Sequence, residues 1–267
     1  MKDSRPIGVF DSGIGGLTVL KVLAERFPRE SFIYLGDTAR LPYGSKSPST
    51  IRKYSEQNVQ FLMNQGVKAI VIACNSASSQ FPETEYQGIS VYNTIHPGSF
   101  RALALTKNKK IGVLGTRATV QSDAYASELR RLDAAVEVYS QACPLFVPLA
   151  EEGWVEDPIT NIIAYRYVNP LLQTGIDTLI LGCTHYPILK EAIRKVVGWD
   201  IELVDSGEAI AELIAQDIEM ARFMDTDADA LQKISVLTTD ASEHFTKLAQ
   251  RILEPVQAHE FLVVNIN

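Results

Sequence analysis

The stretch Lys68-Ala-Ile-Val-Ile-Ala-Cys74-Asn75-Ser76 decides the fold, because it is a short apolar run that ends abruptly in a cysteine and two small polar residues. A run of this length, rich in β-branched residues and without alternation, predicts a strand buried on both faces of a parallel sheet. Ligands of open α/β sheets bind where the carboxyl ends of such strands open into a crevice. Cys74 stands at such an end, and Asn75 and Ser76 can cap a following helix and offer hydrogen bonds.

The same pattern recurs later in the chain as Asp177-Thr-Leu-Ile-Leu-Gly-Cys183-Thr184-His185. Two buried strands therefore each deliver one thiol beside a hydroxyl residue. Taken alone, either cysteine is explained by burial, because free cysteine is among the most buried residue types. The repeated context instead favours two functional thiols. The third cysteine, Cys143, precedes a proline at the start of an apolar run, and we interpret it as a packed, inert thiol.

Composition and charge limit the class of protein. The 267 residues suffice for one large domain or two small ones, and 46% hydrophobic with 21% charged residues is ordinary for a globular protein. The net charge of -7, without a basic stripe, argues against a nucleic-acid partner. We see neither a secretory signal nor an apolar stretch of the ~18 residues that span a bilayer. Three cysteines without metal-type spacing predict reduced thiols, no metal site and a cytoplasmic protein.

A glycine-rich turn, Asp11-Ser-Gly-Ile-Gly-Gly16, follows the first predicted strand, Pro6 to Phe10. Its spacing differs from the G-x-G-x-x-G of dinucleotide-binding proteins. The backbone N–H groups at the start of the next helix are therefore better interpreted as an anion site. Asp11 has two interpretations, either a helix cap or a carboxylate that faces the crevice beside Cys74.

Strands and helices alternate along the whole chain and predict an α/β fold of two similar lobes. Each lobe is a mainly parallel sheet flanked by helices, with the active site in the cleft between them. We expect the chain to cross between the lobes at His96-Pro97-Gly98. The first lobe would then be discontinuous, with residues 1–97 and 208–267, and the second would hold residues 98–207.

Local signals predict the remaining elements. Ser47-Pro48 and Asp157-Pro158 match helix starts with proline at the first helical position. Three further expectations concern less regular segments: a helix near Ser79 to Tyr86, a strand from Leu145 to Leu149, and a helix capped by Asp205-Ser206 that runs to about Phe223 and is followed by a surface loop, Met224 to Ala230.

Two thiols from separate lobes suit proton transfer better than the other roles of a thiolate. A racemase removes a proton from one face of a carbon and returns one to the opposite face, and two bases on opposite walls do this with little motion. The reference pKa of a thiol, ~8.5, is close enough to neutrality for either form to be reached. Asp11 is the candidate partner for Cys74, and His185 is the candidate partner for Cys183.

The residues that carry this chemistry resemble the glutamate racemases, a cofactor-independent family that supplies D-glutamate for peptidoglycan. The matching segments occur in the expected order over about residues 7 to 210: Gly8-Val-Phe-Asp11-Ser12-Gly-Ile-Gly-Gly-Leu, Gly36-Asp-Thr-Ala-Arg-Leu-Pro-Tyr43-Gly44, Val71-Ile-Ala-Cys74-Asn75-Ser76, Phe146-Val-Pro-Leu-Ala-Glu151 and Leu181-Gly-Cys183-Thr184-His185-Tyr-Pro.

The resemblance implies the role of each site residue. The Cys74 position takes the α-proton from D-glutamate and the Cys183 position takes it from L-glutamate, with Asp11 and His185 as helpers. A glutamate near the second cysteine fits Glu151 best, with Glu152 as the alternative. Substrate contacts are implied for Asp11, Ser12, Tyr43, Gly44, Asn75, Ser76, Thr116, Thr119, Thr184 and His185. No cofactor and no metal are implied, and the expected assembly is a homodimer.

The family usually has Cys-Asn-Thr where this chain has Cys74-Asn75-Ser76. Serine keeps the hydroxyl but loses a methyl group, so a slightly looser pocket is expected with the same reaction. The sequence leaves several alternatives open. The paired thiols would also serve an aspartate racemase or another racemase of dicarboxylic amino acids. A cysteine amidase or isomerase would use a single thiol as a nucleophile, and a two-lobed binding protein for a small acid would need neither.

Overall fold

The computed structural model describes residues 3–216, 231–240 and 242–266, and these residues form two α/β lobes. The strands are β1 (Ile7–Asp11), β2 (Phe32–Gly36), β3 (Ala69–Ile72), β4 (Glu85–Tyr86), β5 (Ile89–Asn93), β6 (Lys110–Gly115), β7 (Glu137–Ala142), β8 (Thr178–Gly182), β9 (Glu202–Asp205), β10 (Ile234–Thr238) and β11 (Glu260–Val263). The α-helices are α1 (Leu17–Arg26), α2 (Pro48–Asn64), α3 (Asn75–Ser78), α4 (Ile95–Leu105), α5 (Arg117–Gln121), α6 (Ala124–Leu132), α7 (Phe146–Glu151), α8 (Pro158–Leu172), α9 (Lys190–Val197), α10 (Ser206–Gln216) and α11 (Glu243–Leu253).

Each lobe is built on its own sheet. The larger sheet has the strand order β11-β10-β2-β1-β3-β5-β4, and the smaller sheet has the order β7-β6-β8-β9. Neighbouring strands are parallel except for β4 and β5. The α/β fold with two mainly parallel sheets is therefore confirmed. Strands from both ends of the chain enter the larger sheet, while the boundaries 1–97 with 208–267 and 98–207 remain a prediction.

The sheets form where the sequence offers short runs that can be buried on both faces. Every residue of β1, β3 and β8 is buried, as expected for strands covered by helices on each side. Strand β1 lies between β2 and β3, with Phe10 opposite Ile72 and Asp11 opposite Gly36. The carboxyl ends of these three strands therefore meet at one edge of the larger sheet.

The predicted helix starts are confirmed by their caps. Ser47 accepts a hydrogen bond from the backbone N–H of Thr50, and Pro48 is the first residue of α2. Asp157 accepts from the N–H of Ile159 at 2.7 Å at the start of α8. In both cases proline occupies a position whose N–H would have no partner within the helix.

The helix expected from Ser79 to Tyr86 is wrong. Helix α3 begins directly after Cys74 and ends at Ser78, and Glu85–Tyr86 is strand β4, antiparallel to β5. The turn between β4 and β5 places Gln87 at φ 48° and Gly88 at φ 83°. Two successive residues with positive φ suit a tight hairpin, whose twist matches the flanking strands. This local hairpin replaces the expected helix.

The strand expected from Leu145 to Leu149 is also wrong, because this run forms helix α7. A short apolar run cannot be assigned to strand or helix by periodicity alone. The tertiary packing decides the outcome. The ring of Phe146 packs edge-on against Tyr186 at 5.1 Å and against Tyr167 at 5.3 Å between ring centroids.

The segment His96-Pro97-Gly98, where the crossing between lobes is expected, lies in the first turn of helix α4. Proline is tolerated in a first turn because its missing N–H would be unpaired there. Helix α4 follows β5 of the larger sheet and packs against α10, α6 and the smaller sheet. The chain therefore crosses between the lobes inside a helix.

Helix α10 begins at Ser206, as predicted, and is described as far as Gln216. The rest of that predicted helix, to Phe223, and the loop Met224 to Ala230 lie outside the described residues. Among the helices in the described ranges, none combines the length and the apolar character needed to cross a membrane.

Candidate active site

Cys74 and Cys183 line the same cleft between the lobes. Cys74 follows β3 of the larger sheet and Cys183 follows β8 of the smaller sheet, so each stands at the carboxyl end of a buried strand. The cleft encloses about 420 Å³. It is lined by Ser12, Gly13, Leu41, Pro42, Tyr43, Gly44, Ser45, Cys74, Asn75, Ser76, Thr116, Arg117, Pro144, Val147, Pro148, Glu151, Cys183, Thr184 and His185.

Cys74 lies in a buried, acidic environment. Its Sγ is 3.6 Å from Ser12 Oγ. Burial, and after it the negative charge of Asp11, raises the pKa of the Cys74 thiol well above its ordinary value. Both effects favour the thiol form of Cys74 over the thiolate.

Asp11 connects the two lobes beneath the cleft. Its Oδ1 accepts a hydrogen bond from the backbone N–H of Gly13 at 2.9 Å, and its Oδ2 accepts from the Thr184 hydroxyl at 3.3 Å. The Asp11 side chain is fully buried and lies behind the cleft lining rather than in it. The interpretation of Asp11 as a helix cap is wrong, because helix α1 has no side-chain cap. Asp11 acts on Cys74 through its charge, but it lies behind the cleft wall and does not face the crevice.

Cys183 has a histidine and a carboxylate behind it. Its Sγ lies 3.9 Å from His185 Nδ1, and the other ring nitrogen, Nε2, lies 3.0 Å from Glu151 Oε1. Burial alone would lower the pKa of His185, but the hydrogen bonds and negative charges of Cys183 and Glu151 outweigh burial and raise this pKa to about 10. The imidazole is therefore protonated at neutral pH.

Three hydroxyl groups join the lobes at another wall of the cleft. Ser76 Oγ lies 2.8 Å from Thr116 Oγ1 and 3.4 Å from Thr119 Oγ1, and the two threonine oxygens are 3.0 Å apart. Thr116 also caps helix α5 by accepting from the N–H of Thr119 at 3.2 Å. Ser76 and Thr116 line the cleft, while Thr119 lies behind them.

Asn75 is held by the second lobe through its amide nitrogen. Nδ2 donates to the Tyr125 hydroxyl at 2.7 Å and to Ser206 Oγ at 3.0 Å. Its Oδ1 is buried and has no hydrogen-bond partner within the described part of the chain. An acceptor left open beside the cleft can receive a hydrogen bond from a bound ammonium group.

The glycine-rich turn needs glycine because it passes directly under the second lobe. A Cβ atom on Gly15 would stand 2.4 Å from both His185 Nδ1 and Thr184 Oγ1. In the segment after β2, a Cβ atom on Gly44 would stand 2.7 Å from Thr116 Cβ. A larger residue at either position would require the facing side chains of the second lobe to shift.

Most of the site residues predicted from the sequence therefore line the same cleft, but the contacts of some differ from the prediction. Tyr43 lines the cleft, but its hydroxyl donates to Asp37 and accepts from Asn58 Nδ2 at 3.1 Å. Between the two candidate glutamates, Glu151 contacts His185, whereas Glu152 does not line the cleft. Cys143 is fully buried and lies outside the cleft lining, in agreement with its interpretation as a packed thiol.

Sequence reasoning missed several cleft residues. Arg117, at the first position of α5, is exposed and lines the cleft. Pro144, Val147 and Pro148 form an apolar wall from α7 and the loop before it. Arg117 could have been predicted to line the cleft because it lies between Thr116 and Thr119, which were predicted site residues. The wall formed by α7 could not be predicted once its sequence was assigned to a strand. Among the described residues, no group of three histidine, cysteine or acidic side chains is placed to hold a metal ion.

Comparisons with known proteins agree with this architecture. A family model described as Asp/Glu/Hydantoin racemase matches residues 7–214. The glutamate racemase of Geobacter metallireducens is 48% identical over 79% of both chains, and that of Sulfurihydrogenibium sp. is 45% identical over 96% of both. Among solved structures, glutamate racemase isoform RacE1 of Bacillus anthracis superposes with a TM-score of 0.92 at 35% identity, covering 98% of this chain and 97% of the other. The Francisella tularensis glutamate racemase, solved in complex with D-glutamate, superposes with a TM-score of 0.91 at 37% identity over 99% of both chains.

The two-lobed α/β fold and these matches define the protein as an enzyme of the racemase class. More particularly, the chain belongs to the Asp/Glu/Hydantoin racemase family.

Proposed function

We propose that this enzyme interconverts L-glutamate and D-glutamate without a cofactor and so supplies D-glutamate for peptidoglycan synthesis. The names of its relatives, glutamate racemases over most of their length, support the choice of substrate. The observation that carries the reaction type is that Cys74 and Cys183 line the same cleft from two separate sheets. Racemisation needs an acid and a base on opposite faces of one carbon.

The proposed reaction moves one proton onto the enzyme and one off it. In the L to D direction the Cys183 thiolate removes the α-proton of L-glutamate, and the Cys74 thiol gives its proton to the opposite face of the carbanion. The Cys74 thiolate and Cys183 thiol that remain carry out the D to L reaction. Asp11 assists proton transfer at Cys74, and His185, held by Glu151, assists it at Cys183.

The difficult step is carbanion formation, because the α-proton of an amino acid is much less acidic than a thiol. Negative charge that flows into the substrate carboxylate must be stabilised by donors already in place. The hydroxyl and backbone N–H groups around the cleft are suitable donors, and closure of the lobes strengthens them by excluding water. We propose substrate contacts for Ser12, Tyr43, Gly44, Asn75, Ser76, Thr116, Thr184 and His185, with the Tyr43 contact made by its ring or backbone. The contacts predicted for Asp11 and Thr119 are not proposed as direct ones, because both residues lie behind the cleft lining.

The reaction is tested by incubating the protein with L-glutamate in deuterated water while following optical rotation and α-deuterium by NMR. We expect the rotation to fall to zero and the product to carry deuterium at Cα. A fall in rotation without label, or no change in either signal, would contradict the two-base reaction. Parallel incubations with L-aspartate and L-glutamine test the alternatives of another dicarboxylate racemase and of an amidase.

We further propose that the enzyme acts in the cytoplasm as a homodimer. All three cysteines are free, as expected in a reducing compartment. Size-exclusion chromatography with light scattering tests the assembly: a mass near 59 kDa, twice the 29.5 kDa of one chain, is expected. A mass near that of one chain at micromolar concentration would contradict the dimer.

A further inference from the structure

Asp37 is a buried carboxylate that the proposed reaction does not use. It directly follows strand β2, it is fully buried, and its backbone N–H donates to the carbonyl oxygen of Asp11 at 3.0 Å. Asp37 is not part of the cleft lining. A charge in this position is retained only where surrounding donors satisfy it.

Those donors come from two segments, the connection between β2 and α2 and the residue that follows β10. Arg40 Nε lies 2.9 Å and 2.7 Å from the two carboxylate oxygens, and the Thr239 hydroxyl donates to Oδ1 at 3.1 Å. The Tyr43 hydroxyl donates to Oδ2. Arg40 in turn stacks over the Tyr54 ring at 4.2 Å. Asp37 therefore ties β2, helix α2 and the end of β10 to the segment that contains Tyr43.

That segment forms one wall of the cleft and touches the other lobe. Residues 41–45 all line the cleft, and Gly44 packs so closely against Thr116 that a Cβ atom would not fit. The Tyr43 hydroxyl is the side-chain link between this wall and the buried network. Charge-assisted hydrogen bonds of this kind fix a geometry more firmly than neutral ones.

We propose that Asp37 is a positioning residue, whose carboxylate holds the Tyr43–Gly44 wall against the second lobe through the Tyr43 hydroxyl and thereby sets the affinity of the cleft for its substrate. This inference rests on the proposed function. It assigns Tyr43 a structural link through its hydroxyl in addition to any contact with substrate. A wall that is displaced by a fraction of an ångström weakens binding before it disturbs proton transfer, because both thiols stand on other strands.

The test uses two substitutions that keep the size of the side chain. Asp37→Asn removes the charged acceptor, and Tyr43→Phe removes the hydroxyl donor. For each variant, KM and kcat are measured for D-glutamate, and the Kd is measured by calorimetry. We expect each substitution to raise KM by about tenfold and to leave kcat within about threefold. The double variant should be no worse than the stronger single variant, because both changes break the same link.

Asp177→Asn is the matched control. Asp177 also accepts several hydrogen bonds, from the Thr106 hydroxyl at 2.6 Å and from the N–H groups of Lys107 and Asn108 at 2.7 and 2.8 Å. It precedes β8, at the end of that strand opposite to the cleft. We expect Asp177→Asn to lower the unfolding temperature but to leave KM unchanged.

Three results would overturn the proposal. The KM of Asp37→Asn could change no more than that of Asp177→Asn, or the KM effects of Asp37→Asn and Tyr43→Phe could simply add in the double variant. The third is a loss of activity that appears only in kcat. If Asp37→Asn does not fold, Tyr43→Phe alone decides, since it retains the buried charge and the ring. Failure of the proposed function is separate, because the unsubstituted protein would then racemise no glutamate in the same assay.

Discussion

His185 Nε2 and Glu151 Oε1 lie 3.0 Å apart, although one follows strand β8 and the other ends helix α7. The pair gives the imidazole next to Cys183 a fixed orientation and a compensating negative charge. Burial alone would lower the pKa of His185, but the hydrogen bonds and charges of Cys183 and Glu151 raise it to about 10. The contact therefore affects both the acid–base chemistry and the stability of the enzyme.

Stability should fall as the pH rises from about 6.5 to about 10. The ordinary pKa of His185 is 6.5 and the folded-state pKa is about 10, so the folded protein holds this proton more tightly than the unfolded chain. The resulting stabilisation is complete below the lower value and is lost as the pH passes the higher one. Glu151→Gln should reduce this pH dependence, measured by urea unfolding at several pH values. Glu152→Gln removes the same charge at an exposed neighbouring residue and should leave the pH dependence of stability unchanged.

Asp11→Asn should make Cys74 more reactive towards alkylation while it slows racemisation. The Asp11 charge contributes, after burial, to the raised pKa of the Cys74 thiol, so its removal lowers this pKa and increases the thiolate fraction. Mass spectrometry after iodoacetamide treatment at pH 8 measures the alkylation rate. Cys143 serves as the internal control, because its pKa is raised chiefly by burial and then by Cys183. Equal alkylation of Cys74 in both proteins would argue against the electrostatic effect of Asp11.

Cys74→Ala and Cys183→Ala should each lower kcat for glutamate by at least about a thousandfold, since general acid–base groups contribute roughly 10²–10⁴-fold. Cys143→Ala is the matched control. This third thiol is buried outside the cleft, so its removal should reduce stability with little effect on kcat. Thermal unfolding and polarimetry on the same samples separate the two effects. Substantial racemisation by either of the first two variants would exclude a two-thiol mechanism.

Gly15→Ala should abolish most activity without unfolding the larger lobe. The new Cβ atom would lie 2.4 Å from His185 Nδ1 and Thr184 Oγ1, so these side chains must leave their positions beside the cleft. A displacement of about 1 Å can reduce catalysis by about a hundredfold. Gly13→Ala, in the same turn, is a milder comparison, because its Cβ atom would meet Leu41 at an ordinary 3.5 Å. Equal losses in both variants would show that the close approach to His185 is unimportant.

Arg117→Glu should lower kcat/KM for glutamate by roughly tenfold at low salt, with an effect that shrinks as ionic strength rises. Arg117 is the one lysine or arginine among the described cleft-lining residues, in a chain of net charge -7, and the substrate is an anion. Arg166→Glu carries the same charge change at an exposed residue outside the cleft. If both variants lose activity equally at every salt concentration, the effect of Arg117 is not local.

Much of the cleft could be predicted from sequence because the signals are local. The apolar runs before Cys74 and Cys183 have the length and composition of buried strands, and parallel strands bring their carboxyl ends to a common edge. The capped helices at Ser47 and Asp157 are equally local signals. The failures occurred where a segment takes its conformation from distant partners. The run from Leu145 to Leu149 became a helix because Phe146 packs on Tyr186 and Tyr167.

The sequence by itself determined the alternation of strands and helices, the two thiols at strand ends and the family to which the chain belongs. Only the tertiary structure decided that His185 faces Glu151 rather than Glu152, that the Tyr43 hydroxyl is bound by Asp37, and that Arg117 lines the cleft. The physical reason is how far apart along the chain the interacting residues lie. Hydrogen-bond capacity, capping and burial period are properties of neighbouring residues, whereas a contact between lobes depends on how two separate sheets pack around the cleft.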